Sequence, residues 1–153
     1  MSRKLAREIA FKVIFSDNLQ NNNDESEEAK IENINGIVET LTNDEDFVVS
    51  DESLSDEDKK YIKEVCIGVS SRTSELDEKI KTYLKGWTMD RIGKTDLAIL
   101  RLAIFEILYR DDIPYKVSIN EAVELAKIYC DDASPSFING LLAALINSLP
   151  KDD

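Results

Sequence analysis

Two apolar patterns near the C-terminus constrain this chain most: ILRLAIFEIL at 99–108 and VSINEAVELAKI at 117–128, joined across a turn at Pro114, with FINGLL following at 137–142. Apolar residues recur there at three- and four-residue steps, the period of a helix that buries one face. Only five Gly and three Pro interrupt the 153 residues, so helix is the expected class throughout. The length suits an ordinary apolar core in one domain over residues 1–150. No apolar run is long enough to cross a bilayer, and the basic N-terminus is not followed by an uninterrupted hydrophobic stretch, so a cytoplasmic protein is expected.

Six helical segments are predicted. The first runs from Ser2 to Leu19 and the second covers 30–42, where Ile31, Ile34, Ile37, Val38 and Leu41 fall on one side. The third starts after Ser55, whose hydroxyl suits a cap, with Asp56, Glu57 and Asp58 complementing the helix dipole. It either continues through Leu84 or breaks near Ser70 and Ser71, and Trp87 to Gly93 is a connection. The fourth spans Lys94 to Arg110. The fifth opens on Ser118-Ile119-Asn120-Glu121, which matches a capping box. Ser134 with Pro135 reads as the start of the sixth.

In the fourth segment a 100° step per residue points Arg101 among Leu97, Ile104, Phe105 and Leu108. A guanidinium in a core needs a carboxylate or several carbonyls, and Glu121 or Glu124 of the following helix is the expected partner.

The net charge of -12 is unevenly spread. Residues 1–20 carry four Lys/Arg against two Asp/Glu, residues 21–58 one against fourteen, and residues 59–153 fourteen against fifteen. The acidity is therefore one segment, read as a solubilising, partly flexible insertion at about 20–58 with loops near 20–29 and 43–55. The first helix, by contrast, gathers Arg3, Lys4 and Arg7 on one side with Phe11, Ile14 and Phe15 on or beside them. Cations next to rings suit an RNA strand, although residues 30–42 could equally cover that face.

Enzymatic chemistry finds little support. There is no His, hence neither the commonest general base nor the commonest transition-metal ligand, and no Gly-rich phosphate loop. Cys66 and Cys130 lack CxxC spacing and sit in apolar patterns as free thiols. No cofactor is implied. In the last helix Phe137 borders a small and polar side that includes Gly140; periodicity favours Phe137 closing the core edge and Gly140 permitting close packing, with base stacking as the functional alternative.

RKLARE at 3–8, the W-x3-R step from Trp87 to Arg91, KTDLAILRLAIFEIL at 94–108, PYKVSINEAVELAK at 114–127 and FING at 137–140, in this order and spacing, resemble the NusB family of transcription antitermination factors. The resemblance implies an all-α, compact helical bundle of two helical subdomains without catalysis. It implies binding of boxA RNA in nascent ribosomal RNA transcripts, together with the ribosomal protein NusE, within the RNA polymerase antitermination complex. By the same resemblance Arg3, Lys4, Arg7, Lys116 and Phe137 are the RNA candidates, and Phe15 and Asp96 belong to the protein-partner surface. The runner-up is a helical adaptor that binds NusE but holds RNA weakly.

Overall fold

A computed structural model describes residues 2–20, 27–43, 54–84, 86 and 88–150, and every regular element among them is helical. The chain divides into two compact units, Met1–Ser71 and Arg72–Asp153.

The first unit holds α1 (Ser2–Gln20), α2 (Glu27–Asn43) and α3 (Asp56–Ser71). Helix α3 packs on both α1 and α2. The expected stripe of α1 is buried at Ala6, Ile9, Ala10 and Val13, and α2 adds Ile34 and Val38 to the buried set, with Ile31 and Ile37 half-buried. The helix inside the acidic stretch is thus anchored by apolar side chains. Residues 21–26 and 44–53 of the flanking loops, the side chain of Leu41 and Trp87 lie outside the described residues. Ser55 caps α3 as expected: its Oγ accepts the Asp58 amide at 3.1 Å. Cys66 is free and buried, its thiol 3.7 Å from the Ala10 carbonyl oxygen.

The second unit holds α4 (Thr73–Thr82), α5 (Lys94–Tyr109), α6 (Tyr115–Tyr129) and α7 (Ser134–Ser148), with a 3-10 turn at Met89–Arg91. The third segment therefore breaks at Arg72, as in the alternative with a break near Ser70 and Ser71, and the described residues form seven α-helices. Gly86, at φ 75°, supplies a left-handed residue in the connection after α4. Helix α5 is buried without interruption from Ala98 to Ile107, and α4, α6 and α7 all pack on it. A helix apolar on all sides takes the middle of its unit.

Two charged side chains of α5 face this interior, and their partners differ from the sequence expectation. Arg101 is 8% exposed and donates from Nε and Nη2 to the two carboxylate oxygens of Asp77, both at 2.8 Å. Neither Glu121 nor Glu124 receives it; the break at Arg72 makes α4 a separate helix, and Asp77 arrives from there. Glu106, fully buried, accepts the Ser118 hydroxyl at 3.0 Å. That bond corrects the capping box: α6 starts earlier, with Pro114 at its N-cap, and the Ser118 side chain serves a buried carboxyl in the first turn. Ser134 is diverted likewise, donating to Asp96 at 2.8 Å while Ala133 takes the N-cap of α7. Gly140 is exposed, and a Cβ there would meet no atom within 4 Å, so close packing does not require it.

No helix among the described residues is long and apolar enough to cross a membrane.

Candidate nucleic-acid interface

Arg3 and Arg7 are four residues apart on α1, so they share a face. Both guanidiniums lie over the ring of Tyr61 from α3, with Cζ 4.6 Å and 5.8 Å from its centroid. Arg3 also donates from Nε to Asp58 Oδ1 at 3.1 Å; its side chain is 34% exposed and that of Asp58 only 4%. The second oxygen of Asp58 accepts the Ser55 hydroxyl at 2.9 Å. The buried carboxylate is thus held by its own helix cap. Lys4 projects to solvent, whereas Arg7 is 5% exposed.

Burial revises the picture of an open basic and aromatic face. Phe11 and Ile14 are inside, and Phe15 is half-buried with its ring centroid 6.3 Å from that of Phe11. Burying a Phe side chain contributes roughly 1.5–3 kcal/mol, which an open face would forgo. Of the expected α1 cluster, Arg3 and Lys4 reach solvent and Arg7 backs Tyr61.

In the second unit Lys116 is exposed in the first turn of α6. It lines a groove of about 380 Å³ with Tyr115, Ile119 and Asn120, closed on the other side by Ala143, Ile146 and Asn147 of α7. The start of α6 therefore faces the end of α7. Phe137, half-buried in the first turn of α7, stands about ten residues from Lys116 along this antiparallel pair, roughly 15 Å at 1.5 Å per residue. These two candidates are not brought together. Asp96 sits half-buried in the first turn of α5 and is engaged by Ser134. Burial, with Asp96 beside it, pushes the Cys130 thiol up to about 12, so it is no nucleophile near neutrality.

Sequence reasoning missed Asp58 and Tyr61 as companions of Arg3. Asp58 reads as a helix-dipole residue and stands in the first turn of α3, and Tyr61 is buried in the core. The signal available was weak: an acid and an aromatic three residues apart at the start of a helix.

The NusB family model matches residues 4–147. A transcription antitermination protein NusB from Clostridium botulinum (strain Kyoto / Type A2) is 41% identical over 148 residues, covering 95% of this chain and 100% of that protein. Among solved structures, T. maritima NusB aligns with a TM-score of 0.76 at 28% identity, covering 97% of this chain and 92% of that one. A chain from a structure of antitermination factors NusB and NusE in complex with dsRNA aligns at 0.73 and 24% identity, covering 97% and 98%, a likeness of fold.

Proposed function

This chain belongs to the NusB family, and from that premise we propose that it is a transcription antitermination factor that binds boxA-type RNA of nascent ribosomal RNA transcripts together with NusE. The family is one of antitermination proteins rather than enzymes. In this reading residues 1–150 act as one RNA-binding domain in the cytoplasm, and the NusE-bound protein joins the RNA polymerase antitermination complex. The observation that supports it most is the start of α1, where Arg3, held over the Tyr61 ring, and Lys4 both reach solvent. Cations there engage phosphates, which fix the strand without reading it.

Lys116 adds a phosphate contact and Phe137 a stacking surface on the second unit, while Phe15 and Asp96 meet NusE. Arg7, nearly buried, acts through Tyr61 and its charge rather than through an open contact. Assembly is cooperative: NusE supplies further RNA-contacting surface, so neither protein alone need bind tightly.

One observation favours the adaptor reading. Of Arg3, Lys4 and Arg7 only Lys4 is exposed, and the chain as a whole carries a net charge of -12. Fluorescence anisotropy of labelled boxA RNA, with and without NusE and with a scrambled RNA as control, separates the two. Tighter, sequence-selective binding with NusE is expected. Association with NusE that brings no gain in RNA affinity would make the protein an adaptor.

A further inference from the structure

A guanidinium has a planar face, an Nε–H edge and two terminal amino groups. In Arg3 the face rests on Tyr61 and the Nε–H is donated to Asp58. No other acceptor meets Arg3 among the described residues, so both terminal amino groups remain available while the side chain is already held. The support beneath it is rigid. Asp58 is 3% exposed and Tyr61 1%, both sit in the first turns of α3, and the Asp58 carboxylate is tied to the Ser55 hydroxyl that caps the helix.

An exposed arginine on a helix surface samples many rotamers and loses that freedom when a phosphate captures it. Here the loss has been taken in folding. Because Asp58 occupies only the Nε edge, a phosphate oxygen can approach the terminal amino groups without displacing the carboxylate. The acid in this pair therefore serves as a brace for the cation rather than as a rival of the phosphate.

We propose that Asp58 and Tyr61 are positioning residues that hold Arg3 with its terminal amino groups turned out to receive an RNA phosphate. The assignment rests on the RNA-binding reading above and names residues of α3 as part of that site.

The test is binding of labelled boxA RNA by the full chain with NusE, over a range of salt concentrations, for the wild type, Arg3→Ala, Arg3→Lys, Asp58→Ala, Asp58→Asn and the Arg3→Ala/Asp58→Ala double variant. Arg3→Ala is expected to reduce the slope of log K against log salt by about 0.7, the value for one phosphate on a single strand. Arg3→Lys loses nearly as much affinity as Arg3→Ala, since lysine has neither the planar face nor the Nε edge. Asp58→Ala weakens binding about three- to tenfold, the cost of ordering one long side chain, and adds nothing when Arg3 is already Ala. Asp58→Asn, which keeps an acceptor for Nε, stays within about twofold of the wild type.

Tighter binding by Asp58→Ala would make Asp58 a competitor of RNA and overturn the proposal. Wild-type affinity in Arg3→Lys or Arg3→Ala would also overturn it, as would an equal loss from Asp58→Ala in both backgrounds. If Asp58→Ala does not fold, by circular dichroism, the comparison of Arg3→Lys with Arg3→Ala decides. A wild-type protein that binds no RNA with NusE present sinks the antitermination reading first, a result distinct from any of these.

Discussion

In each unit an arginine of one helix is paired with an aspartate of another, and these two interhelical pairs are built in opposite senses. In the second unit the cation is the buried partner: the Arg101 side chain is 10% exposed against 21% for Asp77, and two bonds of 2.8 Å occupy its fork. In the first unit the carboxylate is buried and the cation looks out, through a single bond of 3.1 Å. A closed fork has nothing left to offer a ligand. An open one does, and its anchoring acid is where water cannot loosen it. The inversion separates an arginine kept for architecture from one available for recognition.

The largest expected effect lies in the closed pair. Asp77→Ala leaves the Arg101 guanidinium buried without its acceptor and is expected to lower stability by about 3 kcal/mol, measured by urea unfolding. Arg101→Leu does less harm, roughly 1–2 kcal/mol, because leucine suits the apolar surroundings and Asp77 keeps partial access to water. Both leave RNA affinity unchanged in the folded protein; a selective loss of RNA binding would erase the distinction between the two pairs. Next comes the open pair, where Arg3→Ala should shift stability by less than about 1 kcal/mol while reducing RNA affinity.

The pH response should also differ by region. Burial holds the Cys66 thiol above its ordinary 9.0, with Asp17 adding to the shift. A raised folded-state value stabilises the protein while the thiol is protonated in both states; as pH climbs past 9.0 the unfolded thiol ionises first and that stability is lost. Thermal unfolding midpoints should therefore fall above this pH, and Cys66→Ala should flatten the decline even though it removes some packing. An unchanged slope in Cys66→Ala would assign the decline elsewhere. The smallest effect belongs to Tyr109, whose hydroxyl donates to both oxygens of Glu75 while its ring carries Arg72 at 4.6 Å. The site is exposed, so Tyr109→Phe should stay within about 0.5 kcal/mol of the wild type in urea unfolding. A larger loss would make this surface cluster a structural clasp between α4 and α5.

Much of the helical order was legible. Helix α5 was bounded within a residue, since a nearly continuous apolar run between a charged start and Arg110 leaves little choice. Errors collected where a polar side chain had two possible employers. Ser118 and Ser134 each carry strong capping chemistry, yet each donates to a carboxyl brought from another helix, Glu106 and Asp96. Local rules cannot weigh a local amide against a distant carboxyl. A break near Ser70 and Ser71 is one of the two readings the sequence allows, yet nothing local shows that Asp77 of the helix beyond it, rather than a carboxylate of α6, meets Arg101. At the candidate interface the cluster of cations was legible from the spacing of Arg3, Lys4 and Arg7. Which of them stays open was not, because Tyr61 and Asp58 reach α1 from more than fifty residues along the chain.

The ring beneath Arg3 has a spectroscopic consequence. Protons held over an aromatic face are shielded by its ring current, so the guanidinium of Arg3, with Cζ 4.6 Å from the centroid of Tyr61, carries an upfield contribution that the hydrogen bond to Asp58 opposes at Nε–H. Arg72 over Tyr109 and, at a greater distance, Arg7 over Tyr61 share such a contribution, so the Arg3→Ala spectrum identifies the Arg3 signals. A phosphate that settles on the terminal amino groups without lifting the side chain would leave this ring-current contribution in place, whereas displacement from the ring would remove it.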